Sequence, residues 1–108
     1  MVQSNKTEQA ELKRMGAKAH KNSGRGMKKA DGSLPNYVVD VKEFSKSFSV
    51  SRDVWAKVCT DTVRVDPSKE PVLCIVLGDQ QKTRLAIISW TEFEALQEIR
   101  MKYEQECD

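Results

Sequence analysis

The sequence lacks the features of a membrane protein and of a disulfide-stabilised secreted protein. Its longest apolar run is the six residues 72–77, whereas a membrane-spanning helix needs about 20. The N-terminal residues contain no apolar stretch like that of a secretory signal, so we expect an intracellular protein without a membrane partner. The three cysteines are an odd number without short spacings, which argues against a disulfide framework and against a zinc site.

The length and composition predict one small folded domain that spans residues 1–108. Apolar residues make up 39% of the chain and charged residues 31%. This balance provides one modest hydrophobic core, and it is not that of a disordered chain. No repeat, low-complexity tract or Pro/Gly/Ser-rich linker divides the sequence, so we do not expect a second domain.

The net charge of +2 conceals an uneven distribution along the chain. Residues 1–46 contain ten basic and five acidic side chains, whereas residues 47–108 contain eight basic and eleven acidic ones. The stretch between Glu11 and Asp31 contains basic side chains and no acidic one. A basic half on a nearly neutral chain is typical of a protein that binds a polyanion on one face. Taken alone, a charge run is also explained by an ordinary solvated surface.

Hydrophobic periodicity predicts the element order α-β-β-β-α-β-β-α, which indicates an α/β sheet flanked by helices. The predicted elements are a helix over 7–15, a short edge strand within 17–22, strands over 28–31 and 37–42, a helix over 51–59, strands over 72–77 and 84–89, and a C-terminal helix. Thr91 and Glu94 form a capping box at the expected start of that last helix. A turn is expected at residues 34–36.

The residues best suited to metal binding or catalysis lie on and near the strand predicted at 37–42. Asp40 and Lys42 lie two positions apart on it, so their side chains leave the same face. The turn before this strand would fold Asp31 back beside Asp40. Two carboxylates a few ångströms apart repel each other unless a cation lies between them, and hard oxygen ligands suit Mg²⁺ or Mn²⁺. Alternatively, Asp31 caps its own turn and the other two side chains are solvated; the spacing leaves both interpretations open.

A wider set of residues resembles the PD-(D/E)xK nuclease superfamily, and more narrowly the archaeal Holliday junction resolvases and their small phage-encoded relatives. The set consists of a glutamate on a short helix, the basic loop Ser23-Gly24-Arg25-Gly26, the segment Lys29-Ala30-Asp31 and the strand Val39-Asp40-Val41-Lys42. The resemblance covers most of residues 8–96. It implies a restriction-endonuclease-like mixed sheet flanked by helices.

The resemblance also implies a role for each residue of the set. Asp31, Asp40 and the helical glutamate would bind one or two Mg²⁺ or Mn²⁺ ions, and Lys42 would assist the attacking water in phosphodiester hydrolysis. We expect the helical glutamate at Glu8, with Glu11 as the alternative. The family more often has glutamate where this chain has Asp40, and its archaeal members have a longer hairpin before this position; neither difference removes a required group.

The function implied by the resemblance is that of a structure-selective endodeoxyribonuclease, a Holliday junction resolvase that acts on four-way DNA junctions. The residues expected to contact DNA phosphates are Ser23, Arg25, Lys28, Lys29, Lys46 and Arg52. Two cuts on opposing strands suggest a homodimer, with residues 45–55 or the apolar side chains of the last helix as its contact surface. The alternatives are another nuclease of the superfamily that nicks or repairs other DNA, and a non-catalytic DNA-binding accessory protein with the same fold.

Replacing Arg25 and Lys28 with alanine tests the expected DNA contacts. Each cation that neutralises a phosphate releases a counterion, so the double variant should bind DNA more weakly and its slope of log affinity against log salt should be shallower by about 2. Fluorescence anisotropy titrations at several salt concentrations measure this slope. Lys102→Ala, in the last helix, is the control; an unchanged slope in the double variant would place the DNA-binding face elsewhere.

Overall fold

The structure, a computed structural model, describes residues 5–20 and 30–106. Its elements are α1 (Asn5–Met15), β1 (Lys18–Ala19), β2 (Gly32–Leu34), β3 (Tyr37–Phe44), α2 (Arg52–Val65), β4 (Glu70–Leu77), β5 (Thr83–Ile87) and α3 (Trp90–Glu106). This order is the predicted one, and the α/β class is confirmed. No helix within the described ranges is long and apolar enough to cross a lipid bilayer.

Most element boundaries differ from the prediction by a few residues, and three differences are informative. Of the strand predicted at 28–31, residues 28 and 29 lie outside the described residues, residues 30 and 31 are not in a strand, and β2 spans Gly32–Leu34. α2 continues to Val65, because the polar residues after the predicted end include Asp61 and Thr62, which are buried rather than solvated. The capping box at Thr91 is wrong: α3 begins at Trp90, and the Glu92 amide donates to Ser89 Oγ at 3.1 Å, which makes Ser89 the capping residue.

The five strands form one mixed sheet in the order β1-β2-β3-β4-β5. β3 and β4 are parallel over eight residue pairs and are connected through α2, whereas the other neighbouring strands are antiparallel. The sheet has a helix on each face. On one face, α1 contributes Leu12 to a core with alternate residues of β3 and β4, such as Val41 and Val76. On the other face, Val58 of α2 packs on Leu73 and the intervening residues of β4.

Alternation along β3 determines which residues face which helix. Val39 and Val41 lie in the core beneath α1. Asp40 and Lys42 therefore project from the opposite face, and their parallel partners on β4 are Leu73 and Ile75. This is the face covered by α2, so the acid and the lysine lie at the border of a hydrophobic layer rather than on an open polar surface.

An ion pair between the buried Glu11 and the exposed Arg84 connects α1 to the edge strand β5. The Glu11 residue is only 5% exposed, and its carboxylate accepts two hydrogen bonds from the Arg84 guanidinium of β5, at 2.8 and 3.0 Å. Arg14 adds a third at 3.1 Å. The Arg84 hydrogen bonds are the main reason why the pKa of Glu11 is lowered, against the opposing effect of burial. Removing Arg84 would leave the buried Glu11 carboxylate with Arg14 as its remaining described cation, which would be unfavourable.

Gly32 allows α1 to lie close to β2. A Cβ atom at this position would lie 2.7 Å from Leu12 Cδ2 and 2.9 Å from the Lys18 carbonyl oxygen. A side chain here would therefore push against both the helix and the neighbouring strand.

Gly32→Ala should consequently destabilise the protein by about 1–3 kcal/mol, the usual cost of overpacking a well-packed site. Urea denaturation followed by circular dichroism measures the change in the free energy of unfolding. Ser45→Ala, at an exposed position beyond β3, is the control and should change it little. Equal stabilities of the two variants would contradict the close packing of α1 on β2.

Candidate active site

The hairpin formed by β2 and β3 brings Asp31 to Asp40. Gly32 pairs with Val39, and the Asp31 amide donates to the Val39 carbonyl at 3.1 Å. The Asp31 carboxylate then accepts the Val41 amide at 2.7 Å. The two bonds hold Asp31 beside the segment of β3 that carries Asp40.

The two aspartates form a desolvated acidic pair. The Asp40 side chain is 18% exposed, and the Asp31 carboxyl group is its close acidic neighbour. Burial, and then the charge of Asp31, raise the pKa of Asp40 to about 6 in spite of Lys42. Burial also raises the pKa of Asp31, although the Val41 amide opposes the shift. The pair therefore retains a proton in a pH range where exposed carboxyl groups have lost theirs.

Lys42 lies on the same side of β3 as Asp40. Its Nζ is 3.4 Å from Asp40 Oδ2, and its side chain is 35% exposed. The ammonium group can thus contact both the acidic pair and a molecule that approaches from solvent. The structure brings together the three side chains for which the strand periodicity and the turn predicted a common site.

The structure separates the two candidate glutamates of α1. Glu8 is close enough to Asp31 for its charge and a hydrogen bond to contribute to the raised pKa of Asp31. Glu11 is instead bound to Arg14 of α1 and to Arg84 of β5. Of the two, Glu8 is the residue that joins the acidic pair.

The expected DNA-binding residues are only partly described. Ser23, Arg25, Lys28 and Lys29 lie outside the described residues. Lys46 and Arg52 are exposed, directly after β3 and at the start of α2, which leaves them accessible to a phosphate backbone.

His20, which directly follows β1, is hydrogen-bonded to residues 30–33 in and before β2. Its ring nitrogens lie 2.8 Å from the Ala30 carbonyl and 2.7 Å from Ser33 Oγ, and its amide donates to the Asp31 carbonyl at 2.9 Å. His20 thus fixes the main chain on both sides of Asp31. No motif in the sequence indicated these partners, because they lie ten and thirteen residues further along the chain.

Lys57 of α2 is a residue that the sequence did not single out. Its Nζ donates to Asp61 Oδ2 at 2.8 Å, and this hydrogen bond is the main reason why the pKa of Lys57 is raised; the Asp40 charge adds to the effect. Lys57 therefore supplies a second ammonium group on the face of the sheet from which Asp40 projects. The signal in the sequence is the four-residue spacing of Lys57 and Asp61, but the predicted helix ended before Asp61.

The donor set fits a hard divalent cation that keeps part of its water shell. Within residues 8–20 and 30–106 there is no ready-made group of three or more metal-binding side chains. Mg²⁺ generally binds through one or two carboxylates and completes its octahedron with water and substrate phosphates. Asp31 and Asp40 supply such oxygens, their mutual repulsion favours a cation between them, and Glu8 lies near.

Comparisons of the whole chain with protein-family models, with characterised proteins and with solved structures find no significant match. The chemistry of the site must therefore be argued from the residues themselves.

Asp40→Asn should stabilise the protein near pH 7. The pKa of Asp40 is raised in the folded state, from 3.8 to about 6. Between these pH values the folded chain binds a proton that the unfolded chain has lost. The free energy of unfolding therefore falls as the pH rises through this range, and above it the ionised Asp40 destabilises the folded state. The asparagine removes a cost of about 1–3 kcal/mol while keeping a hydrogen-bonding group of the same shape.

Urea denaturation of both proteins at a series of pH values, in the presence of a chelator, measures this difference. The advantage of Asp40→Asn should be greatest near pH 7 and disappear near pH 4. Asp79→Asn, at an exposed position after β4, should show no such dependence. An Asp40→Asn variant that is less stable than wild type near pH 7 would contradict the desolvated state of the carboxyl group.

Proposed function

We propose that the protein is a divalent-metal-dependent endodeoxyribonuclease, and specifically an enzyme that cuts branched DNA such as a four-way junction. The single observation that carries the proposal is the convergence of Asp31, Asp40 and Lys42 at the β2–β3 hairpin, with Glu8 close to Asp31. The acidic pair is desolvated and the ammonium group of Lys42 lies within 4 Å of it. Such an arrangement costs stability, and a site that binds a cation and an anionic substrate accounts for it.

Each side chain has a distinct role in this proposal. Asp31 and Asp40 would hold Mg²⁺ or Mn²⁺, with Glu8 as a further oxygen ligand. When bound, the metal would lower the pKa of a coordinated water and stabilise charge on the phosphodiester. Lys42 would neutralise the developing charge on the phosphate or orient the attacking water, and its 3.4 Å contact with Asp40 keeps it beside one of the residues that would hold the metal.

The distribution of charge indicates a polyanionic substrate. The basic residues of the first half of the chain include Arg25, Lys28 and Lys29, immediately before Asp31 in the sequence. On the α2 side, Lys57 and the exposed Arg52 provide further cations. Phosphate contacts of this kind position a nucleic acid without reading its bases, so we propose recognition of DNA shape rather than sequence, on a restriction-endonuclease-like sheet.

Cleavage of a synthetic four-way junction in Mg²⁺ or Mn²⁺ tests the proposal. Wild type should cut the junction, and both Asp40→Asn and Lys42→Ala should reduce the rate at least about a hundredfold, the usual loss when a group that positions or stabilises charge is removed. Glu43→Gln is the matched control, because Glu43 follows Lys42 in β3 but pairs with Lys82 instead. A wild-type protein that cuts no DNA structure, or two variants as active as wild type, would end the nuclease proposal.

A matched linear duplex separates junction selectivity from general nuclease activity. The junction should be cut faster than the duplex; equal rates would instead indicate another nuclease of the same chemistry.

Metal binding can be measured separately from cleavage. Mn²⁺ should raise the melting temperature of wild type more than that of Asp40→Asn. Tight DNA binding without cleavage or a metal-induced shift would support the non-catalytic alternative.

A further inference from the structure

Lys57 of α2 lies beside the candidate active site without belonging to the acidic pair. Its neighbour Val58 packs on Leu73 of β4, and Leu73 is the parallel partner of Asp40 in β3. Besides the hydrogen bond to Asp61, the charge of Asp40 raises the pKa of Lys57, so the ammonium and carboxyl groups are near each other. The Lys57 side chain is nevertheless exposed, and a molecule in solvent can reach it.

The ion pair between Lys57 and Asp61 has one exposed and one buried partner. Lys57 Nζ is 2.8 Å from Asp61 Oδ2, and the two side chains are 73% and 11% exposed. An ordinary solvated pair with the same four-residue spacing is present in α3, where Arg100 and Glu104 are 3.3 Å apart and 77% and 65% exposed. Asp61 thus lies inside the protein while the cation that it binds faces solvent.

Stability alone does not account for this one-sided pair. An exposed cation in a helix ion pair contributes little stability, and burial of the Asp61 carboxylate removes much of its hydration. An ammonium group has three N–H donors, and the bond to Asp61 occupies one of them. A lysine that is already oriented also loses less side-chain entropy when it binds a ligand. These features are those of a prepared contact for an anion.

Arg64 adds a second exposed cation on the same side of α2. It follows Lys57 by seven residues, or two helical turns, and is exposed. Its positive charge opposes the raised pKa of Lys57 that Asp61 causes, so the two cations are near each other. Lys42, 35% exposed, projects from β3 on the side of this helix. Several cations along one border suit the regularly spaced phosphates of a nucleic acid strand.

We infer that Lys57, oriented by Asp61, binds a backbone phosphate of the DNA strand that lies across the acidic pair, next to the phosphate that is cut. Asp61 is a positioning residue here, because it contacts Lys57 and not the DNA. By binding the ammonium group, Asp61 also keeps it from pairing with Asp40. The identity of the anion rests on the proposed nuclease function, but the contact itself does not require cleavage.

Binding of a synthetic four-way junction in the presence of a chelator tests the contact. Lys57→Ala/Asp61→Asn has one cation fewer than Asp61→Asn, so its slope of log affinity against log salt should be shallower by about 1. Comparing these two variants avoids the unpaired buried carboxylate that Lys57→Ala alone would leave. Lys102→Ala, at an exposed position of α3, is the control and should keep the wild-type slope. Equal slopes in the two Asp61→Asn variants would overturn the inference.

The same fluorescence anisotropy titrations test the positioning role of Asp61. Removing an acidic side chain from a DNA-binding surface ordinarily strengthens binding, because it removes repulsion of the phosphates. Asp61→Asn should instead weaken binding several-fold, because it releases Lys57, and the circular dichroism spectrum should stay that of wild type. Asp53→Asn, an exposed acid in the first turn of α2, is the matched control and should not weaken binding. An Asp61→Asn variant that binds as tightly as wild type, or more tightly, would overturn the positioning role.

Cleavage and binding can fail separately. A wild type that binds the junction but does not cut it in Mg²⁺ would end the nuclease proposal, whereas the shallower slope would still support the Lys57 contact. A wild type that cuts the junction, with equal slopes in the two Asp61→Asn variants, would overturn the contact and leave the nuclease proposal in place. A wild type that binds no DNA would overturn both.

Discussion

The hydrogen bond from the Val41 amide to the Asp31 carboxylate is the contact on which the candidate site depends. Both groups belong to the β2–β3 hairpin, in which β2 spans Gly32–Leu34 within the described residues. Because this hydrogen bond holds the Asp31 side chain, its carboxyl group lies against β3 instead of pointing to solvent. Asp40, the residue before Val41 in the chain, then has a close acidic neighbour, in a place that water reaches poorly.

The two glutamates of α1 are chemically identical, but their different neighbours give them different roles. They lie three positions apart on one helix, yet Glu11 is neutralised by two arginines at 2.8–3.1 Å, whereas Glu8 adds negative charge near Asp31. The first arrangement holds α1 to β5, and the second gives the site its third carboxylate. The anchoring pair and the acidic site are thus carried by the same helix, and the position of one determines the position of the other.

The sequence predicted those parts of the site that depend on local periodicity. Alternation along a strand gave the common face of Asp40 and Lys42, and the turn at residues 34–36 brought Asp31 back to them. The sequence favoured Glu8 but left Glu11 as an alternative, because the partner that engages Glu11, Arg84, lies 73 residues further along the chain. Lys57 was missed for a related reason: the burial of Asp61 and Thr62, which extends α2, arises from packing on the sheet rather than from an apolar pattern.

The parallel pairing of β3 with β4 has a consequence for the order in which the chain folds. Partner residues such as Asp40 and Leu73 are 33 positions apart, and closing so long a loop is slower than forming a hairpin. Asp31 can approach Asp40 within the β2–β3 hairpin early, when both carboxyl groups are still hydrated. We expect the loss of that hydration only when α2 and β4 dock, so the acidic pair should acquire its raised proton affinity late in folding.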